Sequence, residues 1–324
     1  MFKNKKALWI ILIIVAVIAL LFYFRFKDNG VPHIKVATAG SGRIESIVSA
    51  TGMVKAPIYE LSSKGGARIA SILVKEGQKV KKGQLLVKFD AYDEAKKNFD
   101  RSMYLFKNSM ASDQSIDTAT TMLQNSQMVA PGSGIVAKVS YDNGETPIPG
   151  NPVIVIVDKE RSWVEAQIDE TDMGKITLGQ MADITSDVYP DKIFKANIYW
   201  ISPLAELRKV GERVKPDEES YVFLSKLKFN SPHDELKVNM SANVDILTDA
   251  KENAVAVPRE AILSEDEKNF VFIIKRNRAY KTVIKTGIRS YSSIEAVSGI
   301  SNGDVIALSK LKDIKNWSRV IIDQ

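Results

Sequence analysis

The 324 residues are 45% apolar and 26% charged, a balance that can bury two or three small cores and excludes an intrinsically disordered chain. The net charge of +6 is lysine dispersed among aspartate and glutamate, with no arginine-rich block and no aromatic interleaving, so nucleic acid is not indicated as a partner. There is no cysteine, which excludes disulfides, thiolate metal sites, cysteine nucleophiles and a lipidated N-terminal cysteine.

An uncharged run, ALWIILIIVAVIALLFYF, begins at Ala7 and ends at Phe24. As a helix it would extend ~27 Å, enough to cross a bilayer core. A cleaved signal peptide is the competing reading. The run is longer than a typical apolar signal segment and no small-x-small site follows Phe24, so a retained anchor over residues 7–24 is expected. Lys3, Lys5 and Lys6 ahead of it, against Arg25, Lys27 and Asp28 behind, favour a cytoplasmic N-terminus and put the rest of the chain outside the cytoplasm. Residues 1–33 are then cytoplasmic tip, anchor and linker, and 34–60 supply N-terminal strands that join two later β-domains.

Residues 61–90, LSSKGGARIASILVKEGQKVKKGQLLVKFD, read as short apolar strands punctuated by Gly66, Gly77 and Gly83 at turns. Residues 129–158, VAPGSGIVAKVSYDNGETPIPGNPVIVIVD, repeat the pattern, with Gly134, Gly144 and Gly150 in the corresponding places and a closing Asp. These are two halves of one β-sandwich. Carrier domains that bear lipoic acid or biotin are built this way, but there a modified lysine sits in a tight turn between the halves.

Here residues 91–128 intervene, without glycine or proline, and read as two antiparallel helices. The first is expected to run about 20 residues, or ~30 Å. Phe99, Met103, Phe106 and Met110 are expected to pack on Ile116, Ala119 and Leu123 of the second, with Arg101 and Leu105 one turn apart on the opposite side. The methionines could form a soft copper or silver site, but their heptad-like spacing favours a coiled-coil core. SMASDQSID breaks the run, and Ser112 with Asp113 offers an N-cap to the second helix.

Residues 159–250 become short strands with turns, one at Pro190-Asp191, and a single helical turn over 171–176, which fits a closed or nearly closed barrel of about six strands. Residues 251–324 form a further β-unit with a hairpin turn at Asn277. Neither region carries a nucleophile, base and oxyanion arrangement, and the carboxylates read as solvating. His33 and His233 lie apart in loop-like surroundings and do not suggest a paired metal site.

In this order the pieces resemble the HlyD-type periplasmic adaptors, the membrane fusion proteins of tripartite exporters, and in particular their membrane-anchored MacA-like branch. Likeness is carried by the split halves around a hairpin and by WVEAQIDETDMGKITLGQMADITSDVYPDKIFKANIYWISP, LKVNMSANVDI and AVAVPREAI. The resemblance implies a mainly β fold with an α-helical hairpin: an N-terminal transmembrane helix, a split lipoyl-like sandwich, a β-barrel and a C-terminal membrane-proximal β-domain. It implies no enzyme activity and no cofactor. It also implies a ring, of six copies, joining an inner-membrane transporter to a TolC-type outer-membrane channel. A transmembrane anchor in place of a lipidated cysteine leans towards an ABC transporter over a proton-driven one.

In the family, the hairpin tip that docks on the channel carries an arginine, a leucine four residues on, a serine seven beyond and often an aspartate next. Arg101, Leu105, Ser112 and Asp113 stand at those separations. On this reading Leu105 buries apolar surface worth up to ~2 kcal/mol in the channel. Asn239 stands where the family has glycine in LKPGM, and asparagine tolerates positive φ. The hairpin is short for the family, and the insertion at 205–219 is without a counterpart and is expected to face the transporter. Two other classes remain: a lipoyl or biotinyl carrier component of an enzyme, for which Lys96 and Lys97 stand in a helix instead of a turn, and a small-molecule or metal-binding module.

Overall fold

The structure, a computed structural model, describes residues 31–210, 213–214 and 220–323. The anchor expected over residues 7–24 and part of the 205–219 insertion lie outside them. Among the described residues no helix is long and apolar enough to cross a membrane. The chain divides into two units, Ser49–Ile246 and Met1–Val48 with Leu247–Gln324.

The first unit contains two small sheets that share one core. Strands Ile58–Ser62, Pro152–Val157, Gly134–Val139 and Lys79–Val80 form one, and Ile69–Ile72, Leu85–Phe89 and Gln127–Val129 the other. Each sheet takes strands from both glycine-punctuated segments, so neither segment has a complete sheet alone. Ile69, Leu86, Phe89, Val136, Ile154 and Ile156 fill the space between, all at most 4% exposed.

The turns follow one recipe. In Lys75-Glu76-Gly77-Gln78 and Lys81-Lys82-Gly83-Gln84 the third residue sits at φ +81°, where glycine avoids a Cβ clash. The fourth residue's N–H bonds the first residue's carbonyl, and its side-chain oxygen accepts the first residue's N–H at 3.0 Å. Thr177 to Gln180, Asp142 to Glu145 and Ser301 to Asp304 repeat the side-chain closure. Lys237 closes on Met240 Sδ with Asn239 at φ 67°, the conformation its position predicts. Gly134 differs from the turn role expected of it. It lies within a strand, where a Cβ would stand 2.6 Å from the Val157 carbonyl oxygen, so close backbone approach demands it.

Six strands close the barrel in the order Met181–Ser186, Tyr189–Leu207, Tyr221–Phe229, Trp163–Asp169, Gly40–Lys55 and Ser241–Pro258. The last returns to the first through Ala182 opposite Ile246. Along Trp163–Asp169, Val164, Ala166 and Ile168 point inward and are fully buried, while their neighbours are half-exposed. The expected turn at Pro190-Asp191 falls two residues late. The chain reverses before Tyr189, which pairs with Ser186, and Pro190 occupies the irregular stretch that follows, where its missing N–H costs no ladder bond.

The expected helical turn is the 3-10 segment Glu170–Lys175, capped by Asp169. Asp169 is held below the usual carboxylate range, first by hydrogen bonds from Thr171 and then by Arg208, whose guanidinium lies 3.0 Å away. Arg208 thereby ties the base of the 205–219 insertion to the barrel. The insertion itself prolongs a hairpin, with Ala205 opposite Phe223, Leu207 opposite Tyr221, and Lys209–Val210 paired to Arg213–Val214.

In the second unit Ser293–Ser298, Arg278–Arg289, Lys268–Lys275, Val305–Ala307 and Val36–Thr38 pair in that order. Lys275 faces Arg278 across a two-residue turn with Arg276 and Asn277 at φ 49° and 58°, the hairpin geometry expected at Asn277. Glu295 is 4% exposed and accepts from Lys251 Nζ at 2.5 Å and from the Ile288 N–H at 3.0 Å. Lys251 first, then Ile288, hold its carboxyl below the ordinary 4.5. A group depressed in the folded state contributes stability that is complete above its unfolded pKa and is lost as pH falls through its folded value. Glu295→Gln should therefore be less stable than the wild type by about 1–3 kcal/mol near neutral pH, with the gap narrowing below about pH 4; urea unfolding at both pH values checks this.

Candidate functional site

The hairpin consists of α1, Tyr92–Lys107, and α2, Asp113–Asn125. At 16 residues α1 is about 24 Å long, shorter than expected. Asp93 and Glu94 in its first turn and Lys107 in its last suit the helix dipole, and Lys96 pairs with Asp100 at 2.5 Å.

What shortens α1 is its C-terminus. Asn108 caps it, Ser109 turns left-handed at φ 59°, the Ser109 N–H bonds the Phe106 carbonyl at 2.9 Å, and the Met110 N–H bonds the Leu105 carbonyl at 2.8 Å. This is the paired closure of a Schellman motif, with serine where glycine is usual. Ser109→Gly should remove the left-handed strain and raise stability by several tenths to about 1 kcal/mol, read as a higher urea midpoint; Ser109→Val should lower it.

The early stop changes which side chains face α2. Ala95 is buried and Phe99 and Met103 are half-buried on α1, opposite buried Ile116 and Ala119 and half-buried Leu123 on α2. Phe106 and Met110, expected in this seam, are 38% and 73% exposed, and Leu105, expected outside it, is half-buried. Met110 is beyond the helix, so the heptad spacing does not apply to it. The hairpin methionines are thus not a common core, since Met122 is exposed as well.

The four residues singled out by sequence all lie at the tip end of the hairpin. Arg101 is exposed and has no hydrogen bond or ion pair among the described residues. Leu105 stands one turn further on. Ser112 is the N-cap of α2, as expected: its Oγ accepts the Ser115 N–H, which leaves the hydroxyl proton free for a partner. Asp113 opens the first turn of α2, where its charge meets the positive end of the helix dipole. Sequence reasoning missed that Tyr104, Phe106 and Met110 are exposed at this end. The signal was Asn108-Ser109, a helix stop weaker than glycine. No group of three His, Asp or Glu side chains that could hold a metal occurs among the described residues.

The family model of the YknX-like beta-barrel domain matches residues 162–246. Macrolide export protein MacA of Escherichia coli O157:H7 is 22% identical over 372 aligned positions, covering 96% of this chain and 98% of the relative. Multidrug resistance protein MdtA of Yersinia pseudotuberculosis serotype I (strain IP32953) is 23% identical over 323 positions, covering 86% and 72%. The crystal structure of MacA from Actinobacillus actinomycetemcomitans matches with a TM-score of 0.62 at 18% identity, covering 85% of this chain and 99% of that one. MacA and MdtA thus align along most of this chain, and the barrel at its centre is the part that matches the YknX-like model.

Proposed function

We propose that the chain is anchored in the inner membrane by residues 7–24, with its N-terminus cytoplasmic and its bulk periplasmic, and that six copies form a ring joining an ABC transporter to a TolC-type outer-membrane channel. Its work is mechanical, and the α1–α2 tip is the surface that meets the channel. The observation that carries this reading is the tip itself: exposed Arg101 without an internal partner, with Tyr104, Phe106 and Met110 exposed further along the same hairpin, which projects from a β-sandwich. Exposed aromatic side chains and an unpaired guanidinium are the residue types that protein-binding hot spots use. The sandwich has no lysine in a turn between its halves, since α1 and α2 occupy that place, which disfavours a carrier.

The test is a pull-down from gently solubilised membranes. Recovery of an ABC permease together with an outer-membrane channel supports the reading. Recovery of the permease alone limits the chain to the transporter side, and recovery of a proton-driven transporter replaces the ABC assignment.

A further inference from the structure

His233 is engaged through both ring nitrogens. Nδ1 lies 3.0 Å from the Ser231 carbonyl oxygen, which can only accept, so Nδ1 carries a proton. Nε2 lies 2.9 Å from Ser162 Oγ, and that hydroxyl lies 2.8 Å from the Lys159 carbonyl oxygen, again an acceptor only. A hydroxyl has one hydrogen. All three contacts are hydrogen bonds together only when Nε2 is protonated too, with the ring an imidazolium. In the neutral ring Nε2 accepts the serine hydroxyl's hydrogen bond, and the hydroxyl's bond to the Lys159 carbonyl is lost. The ring also stacks on Phe229, with centroids 4.1 Å apart and planes 15° from parallel, a face that favours a cation.

The place of this chain of bonds gives it a use. Ser162 is buried in the short link between strand Pro152–Val157 of the sandwich and strand Trp163–Asp169 of the barrel. His233 belongs to the loop between barrel strands Tyr221–Phe229 and Ser241–Pro258. A cavity of about 610 Å³ lies at this junction, lined by Lys79, Lys81 and Ser133 on one side and Lys159, Glu160 and Asp234 on the other. The charges near the ring are accounted for. Asp158 is held by Arg161 Nε at 2.6 Å, Arg161 also reaches the Tyr59 hydroxyl, and Lys159 Nζ bonds the Asp234 carbonyl. Glu235 pairs with Lys192 at 2.5 Å. Glu160 and Asp234, with Lys79 and Lys81 across the cavity, form no ion pair among the described residues and leave the surroundings mixed in sign.

We propose that His233 is a proton-operated latch between sandwich and barrel. Protonated, it completes the His233–Ser162–Lys159 chain and holds the junction shut; neutral, it gives up one bond and lets the junction flex. The latch is a property of the chain itself and does not depend on which transporter or channel it serves.

The test uses the full chain in detergent, with ring-15N histidine and His33→Gln for assignment. At about pH 5.5 both His233 nitrogens should appear protonated. Amide exchange, corrected for its intrinsic pH dependence, should then be about tenfold slower at about pH 5.5 than at about pH 8 for Ser162 and for Leu236, whose N–H bonds the His233 carbonyl. In Ser162→Ala that ratio should fall to about one, as it should in His233→Gln. A singly protonated ring at the lower pH, equal wild-type protection at the two values, or a pH ratio that survives Ser162→Ala overturns the latch; the ring signal decides the matter even where a variant fails to fold.

Discussion

Gly299→Ala is expected to cost the second unit more than about 3 kcal/mol, enough to unfold it in a marginally stable chain. Gly299 sits at φ +97°, and a Cβ there would overlap the Val283 carbonyl oxygen and stand 3.1 Å from Ile284 Cα. Both obstacles are backbone of the neighbouring strand Arg278–Arg289, so no rotamer change relieves them. Ile300, the next residue, is in the core and pins the segment in place. Gly303 provides the control. Its φ is +91°, but a Cβ there would meet nothing within 4 Å, so Gly303→Ala carries only conformational strain of about 1–2 kcal/mol. The difference between the two variants isolates the clash. Amide exchange at Ala39, bonded to the Asp304 carbonyl, should be accelerated strongly by the first change and weakly by the second. Equal effects would show that φ, and not the neighbouring strand, demands the glycine.

What the sequence made legible is what neighbours in the chain decide. The N-cap at Ser112, the left-handed Asn239, the turn at Asn277 and the single helical turn after Asp169 each rest on contacts within four residues, and each is present. Closure of a barrel from six strands was also within reach, because alternation in Trp163–Asp169 and its companions exposes the period of two.

Three features were not legible, for different reasons. The end of α1 was hidden because apolar spacing continues through Phe106 and Met110, while the stop depends on Ser109 accepting a conformation that serine disfavours. The turn near Pro190 was misplaced because proline marks turns and irregular strand alike. The bonds of His233 were invisible because Ser162 lies 71 residues away, so a loop histidine read only by its neighbours appears solvated. At the tip, the same limit exchanged the placement of Leu105 and Phe106: Leu105 is half-buried and Phe106 exposed, the reverse of what their spacing suggested.

That exchange determines how the docking surface should be tested. Leu105→Asp would put a charge against the α1–α2 seam, and lost export would then report a damaged hairpin as readily as a lost contact. Arg101→Asp with Phe106→Asp alters two exposed positions on α1, and neither change removes a packing or capping interaction given above. If the tip meets the channel through a free guanidinium and an apolar anchor, each change should cost about 2 kcal/mol, and the pair should weaken channel capture by at least about 100-fold. Transporter recovery and the urea midpoint should be unchanged, because the barrel and the sandwich core lie elsewhere. Met110→Asp, in the tip loop, should weaken capture less, since its side chain hangs from a turn that α1 does not rigidify. Undiminished channel capture by the double variant would remove the tip from the interface. Loss of transporter and channel together would mean that the hairpin acts through the ring, with neighbouring copies as its partners in place of the channel.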